Sequence, residues 1–311
     1  MPYGFPSGAD LRRLICEGGH SESSKLAREL SEWAHVDSSV VINFARQFEQ
    51  SRIVSIDEFL SRRIEHTEIG KYAIATLLCP LEDPAKFDDP TNNDDWYSAL
   101  WNALVSEVHR LEDLKNNKLK VITFNYDRSL ESYLHSAIKN TFAVSDAAAL
   151  DAMASIPILH VYGSLGNFGI KTEGQNRPYP GKQNAISLTT AANGIKVIPE
   201  ARDDDEVFKT TQIWFRESNR VCFLGFGFDQ LNIKRLGLRE VVEDGIKYKA
   251  SFPSQVIASG YGKTEAELAI AKNLITGRLT TFDNIPSERP SWDHLKDKNL
   301  STIRSFAWIL N

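Results

Sequence analysis

The chain has 311 residues, 42% of them hydrophobic and 25% charged, the composition of an ordinary globular protein with room for one large domain or two. With 36 basic against 41 acidic residues the formal net charge is −5, which offers no general basic footprint for direct nucleic-acid binding. Three widely spaced cysteines, Cys16, Cys79 and Cys222, argue against a disulfide framework or a cysteine-rich zinc module. No apolar run of about 18 residues and no signal-peptide pattern is found, so a cytoplasmic protein without membrane association is expected.

Met1-Pro-Tyr-Gly-Phe-Pro-Ser7 reads as a turn, with Ser7 placed to cap a helix over residues 8–17. No strand precedes that helix, whereas α/β nucleotide folds usually begin with a strand and a Gly-rich loop that brings amides to phosphates. From residue 22 to 117 the apolar periodicity is helical, carried by Leu26, Leu30 and Trp33, then Phe44 and Phe48, then Phe59 and Leu60, then residues 72–78. Residues 80–95, rich in Pro and Asp, read as a solvated loop, and Trp96, Leu100 and Leu104 resume the helical pattern. Residues 22–117 are therefore read as a helical insertion whose aromatics are core.

The chain is organised around Val121-Ile-Thr-Phe-Asn-Tyr-Asp127, a β-prone run ending in polar residues, followed at once by a helix with Leu130, Tyr133, Leu134, Ala137 and Ile138 on one face. Side chains at the carboxyl end of a strand in an open α/β sheet face the ligand crevice, which makes Asn125 and Asp127 candidate site residues. Helix capping by Asp127 and turn bonding by Asn125 would explain the same residues. A second run, residues 156–163, ends in His160, Tyr162 and Gly163; a lone His on an apolar strand is commonly a satisfied core residue. A loop-rich section extends to about residue 194, followed by a weak strand over 195–198 and a charged helix over 201–217. Strands over 220–224, with Gly225 and Gly227 at the carboxyl end, and over 255–260 follow, and Thr264 with Glu267 forms a capping-box pattern. Strands alternating with helices predict an α/β fold: a Rossmann-like parallel sheet with a large helical insertion, in one domain over residues 1–311, with residues 121–124 and 221–224 in one central sheet.

Taken together these motifs resemble the sirtuin-like family. Gly4-Phe5-Pro6 is similar to the loop following that family's Gly-Ala-Gly-x-Ser nucleotide loop, Thr123-Phe-Asn-Tyr-Asp127 to its Thr-x-Asn-x-Asp motif, and Leu159-His-Val-Tyr-Gly-Ser164 to its His-Gly region. Leu224-Gly-Phe-Gly-Phe228 is similar to its later glycine-rich strand end. Ser55-Ile-Asp-Glu-Phe-Leu60 and Trp96-Tyr97 resemble the bacterial branch found in antiviral defence. Two departures stand out. The zinc module of the deacylating members is missing, which disfavours deacylation of acetyl-lysine and any bound zinc. The family's first strand and Gly-rich loop are not found ahead of these motifs: either an upstream segment carries them, in which case a chain extended upstream is expected to bind NAD⁺ more tightly and to be more stable, or the ligand is bound without that loop.

The resemblance implies NAD⁺ as substrate, hydrolysed to ADP-ribose and nicotinamide, in anti-phage defence by NAD depletion. It implies Asn125 placing water or ribose hydroxyls, His160 as general base, and Asp127 on the nicotinamide carboxamide. Gly4, Phe5, Pro6, Gly163, Ser164, Gly225 and Gly227 would line the dinucleotide. A non-catalytic sensor of NAD or ADP-ribose and a protein ADP-ribosyltransferase are the alternatives, and a homo-oligomer or a partner protein of a defence system is compatible with each.

Overall fold

The computed structural model describes residues 2–89, 91–171, 174–182, 184–197, 206–277 and 289–306. Helix α1, Gly8–Gly18, begins at a capping box in which Ser7 and Asp10 each bond the other's backbone amide, the signal expected of Ser7. Helices α2 (Lys25–Ala34), α3 (Ser38–Ser51), α4 (Ile56–Arg62) and α5 (Thr67–Leu78) follow. The side chains of Asp37 and Ser55 cap α3 and α4. Phe44, Phe48 and Phe59 are buried together, the Phe48 and Phe59 rings 4.8 Å apart, so these aromatics form core as expected. Each contributes on the order of 1.5–3 kcal/mol by leaving water.

Helix α6, Trp96–Leu104, opens after the Pro- and Asp-rich segment. That segment is not solvated throughout, because Glu82 and Asp94 are both buried. Glu82 lies between two arginines, and Asp94 accepts the backbone N–H of Leu300. Next come β1 (Val121–Thr123), α7 (Ser129–Phe142), α8 (Asp146–Met153) and β2 (Ile158–His160). Strands β1 and β2 pair in parallel with Val121 opposite Ile158 and Thr123 opposite His160. Two short parallel strands, β3 (Asn167–Phe168) and β4 (Asn176–Arg177), and helix α9 (Ala185–Gly194) occupy the stretch read as loop. Ile195 forms a single bridge to Gly163 where a strand over 195–198 was expected, and Ile198 lies outside the described residues.

The remaining elements are α10 (Glu206–Glu217), β5 (Arg220–Phe223), α11 (Gln230–Leu236), α12 (Leu238–Tyr248), β6 (Gln255–Ser259), α13 (Glu265–Thr276), β7 (Ser291–Leu295) and α14 (Asn299–Phe306). Residues 201–205, expected to open α10, lie outside the described residues. The Thr264–Glu267 capping box is formed. Strand β6 is central to a parallel sheet in the order β5-β6-β7.

The fold is thus α/β with small parallel sheets, but the expectation of one central sheet is corrected: β1 and β5 lie in separate sheets. The reason is in the pairing. Among the described residues β1 hydrogen-bonds only to β2 and β5 only to β6, so no ladder joins the two strand sets. Where a single domain was expected, the chain clusters into two compact units. One comprises residues 1–93, 110–117 and 121–202; the other comprises 94–109, 118–120 and 203–311. The helical stretch 22–117 is shared between them, since α6 belongs with the second. No helix among the described residues is long and apolar enough to cross a membrane.

Candidate functional site

Parallel pairing of β1 with β2 sets Thr123 beside His160 and sends both strands' carboxyl ends in the same direction. The loop after β1 is then held from four sides. The Asn125 N–H donates to Thr123 Oγ1 at 3.1 Å, and the Tyr126 carbonyl accepts from the Leu165 N–H at 2.9 Å. The Tyr126 hydroxyl donates to Asp57 of α4 at 2.5 Å. Burial raises the Asp57 carboxyl and the tyrosine hydrogen bond works against it. The fourth restraint is His160, whose Nδ1–H donates to the Asn125 carbonyl at 2.8 Å.

Pinned in this way, the loop leaves Asn125 exposed while Tyr126 is buried. Asp127 is half-buried and its Oδ1 accepts both the backbone N–H and the hydroxyl of Ser129, which fixes the entry to α7. Asp127 thus binds the first helical residue from one position before the cap; the N-cap of α7 is Arg128, which makes no side-chain cap bond. Burial pushes the Asp127 carboxyl above the usual range; its Ser129 bonds pull the other way, and Glu131 adds to the rise.

Glu131 is the site residue that the sequence did not reveal. It lies on the inward face of α7 with Leu134 and Ile138, at a spacing of three and then four residues. Its Oε1 meets His160 Nε2 at 2.7 Å, while its Oε2 is buried without a hydrogen-bond partner. An acidic residue on an apolar stripe, one turn beyond Asp127, was the available signal. Burial alone would lower the His160 pKa, but the Glu131 carboxylate beside it, the Asn125 carbonyl and Asp127 more than offset this and hold it above the ordinary histidine value. Both ring nitrogens of His160 are consequently engaged by protein groups.

Behind Asp127 lies a second buried charge cluster. Arg128 and Arg177 have fully buried side chains and share Glu82, at 2.7 Å to Oε1 and 2.8 Å to Oε2 respectively. The remaining guanidinium hydrogens go to the carbonyls of Leu165, Asn167, Arg177 and Pro178 and to Ser187 Oγ. Two cations and one anion meet there, and every guanidinium nitrogen of both arginines is hydrogen-bonded, which is the condition under which buried charges are tolerated.

The other predicted site residues divide between the units. Gly4, Phe5 and Pro6 belong to the first unit, where Gly4 has φ +82° and Phe5 is buried. Their turn is packed beside the turn bearing Phe87, whose ring in turn meets Tyr133 of α7 at 5.6 Å. No described hydrogen bond links Gly4, Phe5 or Pro6 to Asn125, Asp127 or His160. Gly163 has φ +69°, and a Cβ there would come within 2.0 Å of the Gly194 carbonyl oxygen, so close backbone approach accounts for this glycine. The Ser164 hydroxyl donates to the Gly166 carbonyl at 2.9 Å. Gly225 and Gly227 belong to the second unit at the carboxyl end of β5. The Gly225 N–H donates to Ser259 Oγ, and a Cβ on Gly227 would meet nothing within 4 Å. The structure thus brings Asn125, Asp127 and His160 together, with Glu131 added.

Chemically, the first-unit site offers one exposed amide, one carboxyl group with an oxygen not bonded to Ser129, and the hydrogen-bonded His160–Glu131 pair behind them. No protein-family model, curated protein or solved structure matches the chain.

Proposed function

We propose that the chain is an NAD⁺ glycohydrolase. In that reaction water adds to the ribosyl carbon bonded to nicotinamide, the carbon–nitrogen bond breaks with its electrons going to the pyridine ring, and ADP-ribose, nicotinamide and one proton result. The leaving group is already cationic, so the protein's task is to place water and stabilise a positively charged ribosyl centre. The observation that carries the proposal is the convergence of Asn125, Asp127 and His160 at the carboxyl ends of two adjacent parallel strands, where α/β folds hold ligands. Asn125, exposed and uncharged, suits water or ribose hydroxyls, having both donors and acceptors. Asp127 Oδ2 suits a donor such as the carboxamide of nicotinamide.

The resemblance to the sirtuin-like family supports this reading and carries with it a cytoplasmic setting and a role in anti-phage defence by NAD depletion. Incubation with NAD⁺ followed by chromatography tests it: free nicotinamide with ADP-ribose is expected. One observation favours a second reading, a sensor that binds NAD or ADP-ribose without turnover. Both nitrogens of His160 are occupied, which leaves no ready general base. Tight NAD⁺ binding with no nicotinamide released would select the sensor, and label retained on protein would select an ADP-ribosyltransferase.

A further inference from the structure

His160 bridges two acceptors on different elements: the Asn125 carbonyl at the end of β1, 2.8 Å from Nδ1, and Glu131 Oε1 on α7, 2.7 Å from Nε2. A neutral imidazole has one N–H, so with Glu131 as a carboxylate it can donate to only one of them; satisfying both then takes the imidazolium. We propose that Glu131 is a positioning residue: it holds His160 doubly protonated, and His160 in turn fixes the loop that presents Asn125, so that the pair acts as a brace and not as the base. The inference rests on the hydrolase reading for its kinetic test and on geometry alone for its spectroscopic one.

The surroundings of His160 agree with this assignment. The groups facing it are Glu131 from α7, Asp127 from the turn before α7, and the Asn125 carbonyl from the end of β1. All three favour the charged ring, and no cation is among them. The histidine and glutamate side chains are 12% and 11% exposed, so little solvent competes for their contact. A His160 that surrendered its Nε2 proton would leave a lone pair facing the Glu131 carboxylate, and the brace would open.

Two substitutions separate position from charge. In Glu131→Gln the amide can turn to donate to Nε2 of a neutral His160 whose Nδ1–H still holds Asn125, so the brace stays closed without an imidazolium. In Glu131→Ala nothing holds Nε2. The first measurement is imidazole nitrogen NMR on the intact protein, with no ligand. Both His160 nitrogens protonated near neutral pH in the unsubstituted chain, and only Nδ1 in Glu131→Gln, supports the brace whether or not the protein hydrolyses NAD⁺. A singly protonated His160 in the unsubstituted chain overturns it.

The second measurement is nicotinamide release against pH. The expected result is activity lost as pH rises through the raised His160 pKa, because that is where the brace loses a proton. Glu131→Gln should remove this alkaline limb and keep kcat within about threefold, whereas Glu131→Ala should lower kcat by about 10²-fold, the cost of a displaced catalytic group. Activity lost instead as pH falls through that pKa would make His160 a base and overturn the brace, as would a folded Glu131→Gln as impaired as Glu131→Ala. Absence of nicotinamide release by the unsubstituted chain, with both His160 nitrogens protonated, would remove the hydrolase reading and leave the brace standing.

Discussion

Asn125 and His160 stand one residue-contact apart yet are held in opposite ways, and substitutions at the two should behave differently. The Asn125 side chain is exposed and only its backbone is engaged in the described hydrogen bonds. Asn125→Ala should therefore leave the unfolding free energy within about 0.5 kcal/mol. If the hydrolase proposal is right, it should cut nicotinamide release by about 10²-fold or more. Paired denaturation and product chromatography check this, and unchanged release would remove Asn125 from the reaction. At this scale the sequence was informative about side chains whose position follows from one strand end. The placement of Asn125, Asp127 and His160 at neighbouring strand ends follows in that way. Glu131 was missed because its partner lies 29 residues away, and a helical stripe alone does not say what faces it. Glu82, Arg128 and Arg177 were missed for the same reason: a buried ion cluster is visible only once the chain is closed around it.

The elements that were legible are those with strong local signals, and those that were not depend on their neighbours. The Ser7 cap and the Thr264 capping box form as expected, the former with a reciprocal bond from Asp10, because all their bonds lie within four residues. Helix α9 was read as loop because its sequence, Ala-Ile-Ser-Leu-Thr-Thr-Ala-Ala-Asn-Gly, mixes weak helix formers and is flanked by Gly and Asn. It is nevertheless stabilised by packing on α5, burying Leu188, Ala191 and Ala192. Strand β7, Ser-Trp-Asp-His-Leu, lacks an apolar run and is a strand through its parallel ladder with β6. The contact between the turn after β2 and the end of α9 gives an element-scale prediction. Gly163→Ala would place a Cβ against the Gly194 carbonyl at a backbone conformation unfavourable to any side chain. A loss of about 3 kcal/mol or more is expected from a urea melt. A loss under about 1 kcal/mol would mean that the turn relaxes and that sterics do not explain this glycine.

For the whole molecule, the hydrophobic periodicity located the helices of the N-terminal third and α7 but not how the strands would group, since parallel pairing is made between residues distant in sequence. What ties the first unit internally is visible in the Glu82 cluster, which joins the segment after α5, the start of α7 and β4. Glu82→Gln should destabilise the protein by about 3–5 kcal/mol, because it leaves two buried guanidinium groups without their counter-charge. The urea midpoint measures this, and a change below about 1 kcal/mol would show that the carbonyl bonds to Arg128 and Arg177 suffice.

The interleaved boundaries of the two units bear on synthesis. Helix α6 has been synthesised when about a third of the chain is made, yet it belongs to the unit completed by residues 203–311. Asp94, two residues before α6, finds its backbone partner only at Leu300, 206 positions later. Leu100, Trp101 and Leu104 of α6 are buried in the finished protein, and α14, one of the last elements made, packs on that helix. A nascent chain growing at about 5–20 residues per second leaves this apolar face uncovered for on the order of ten seconds or more. For that interval, synthesis leaves in water an apolar stretch that the mature protein hides.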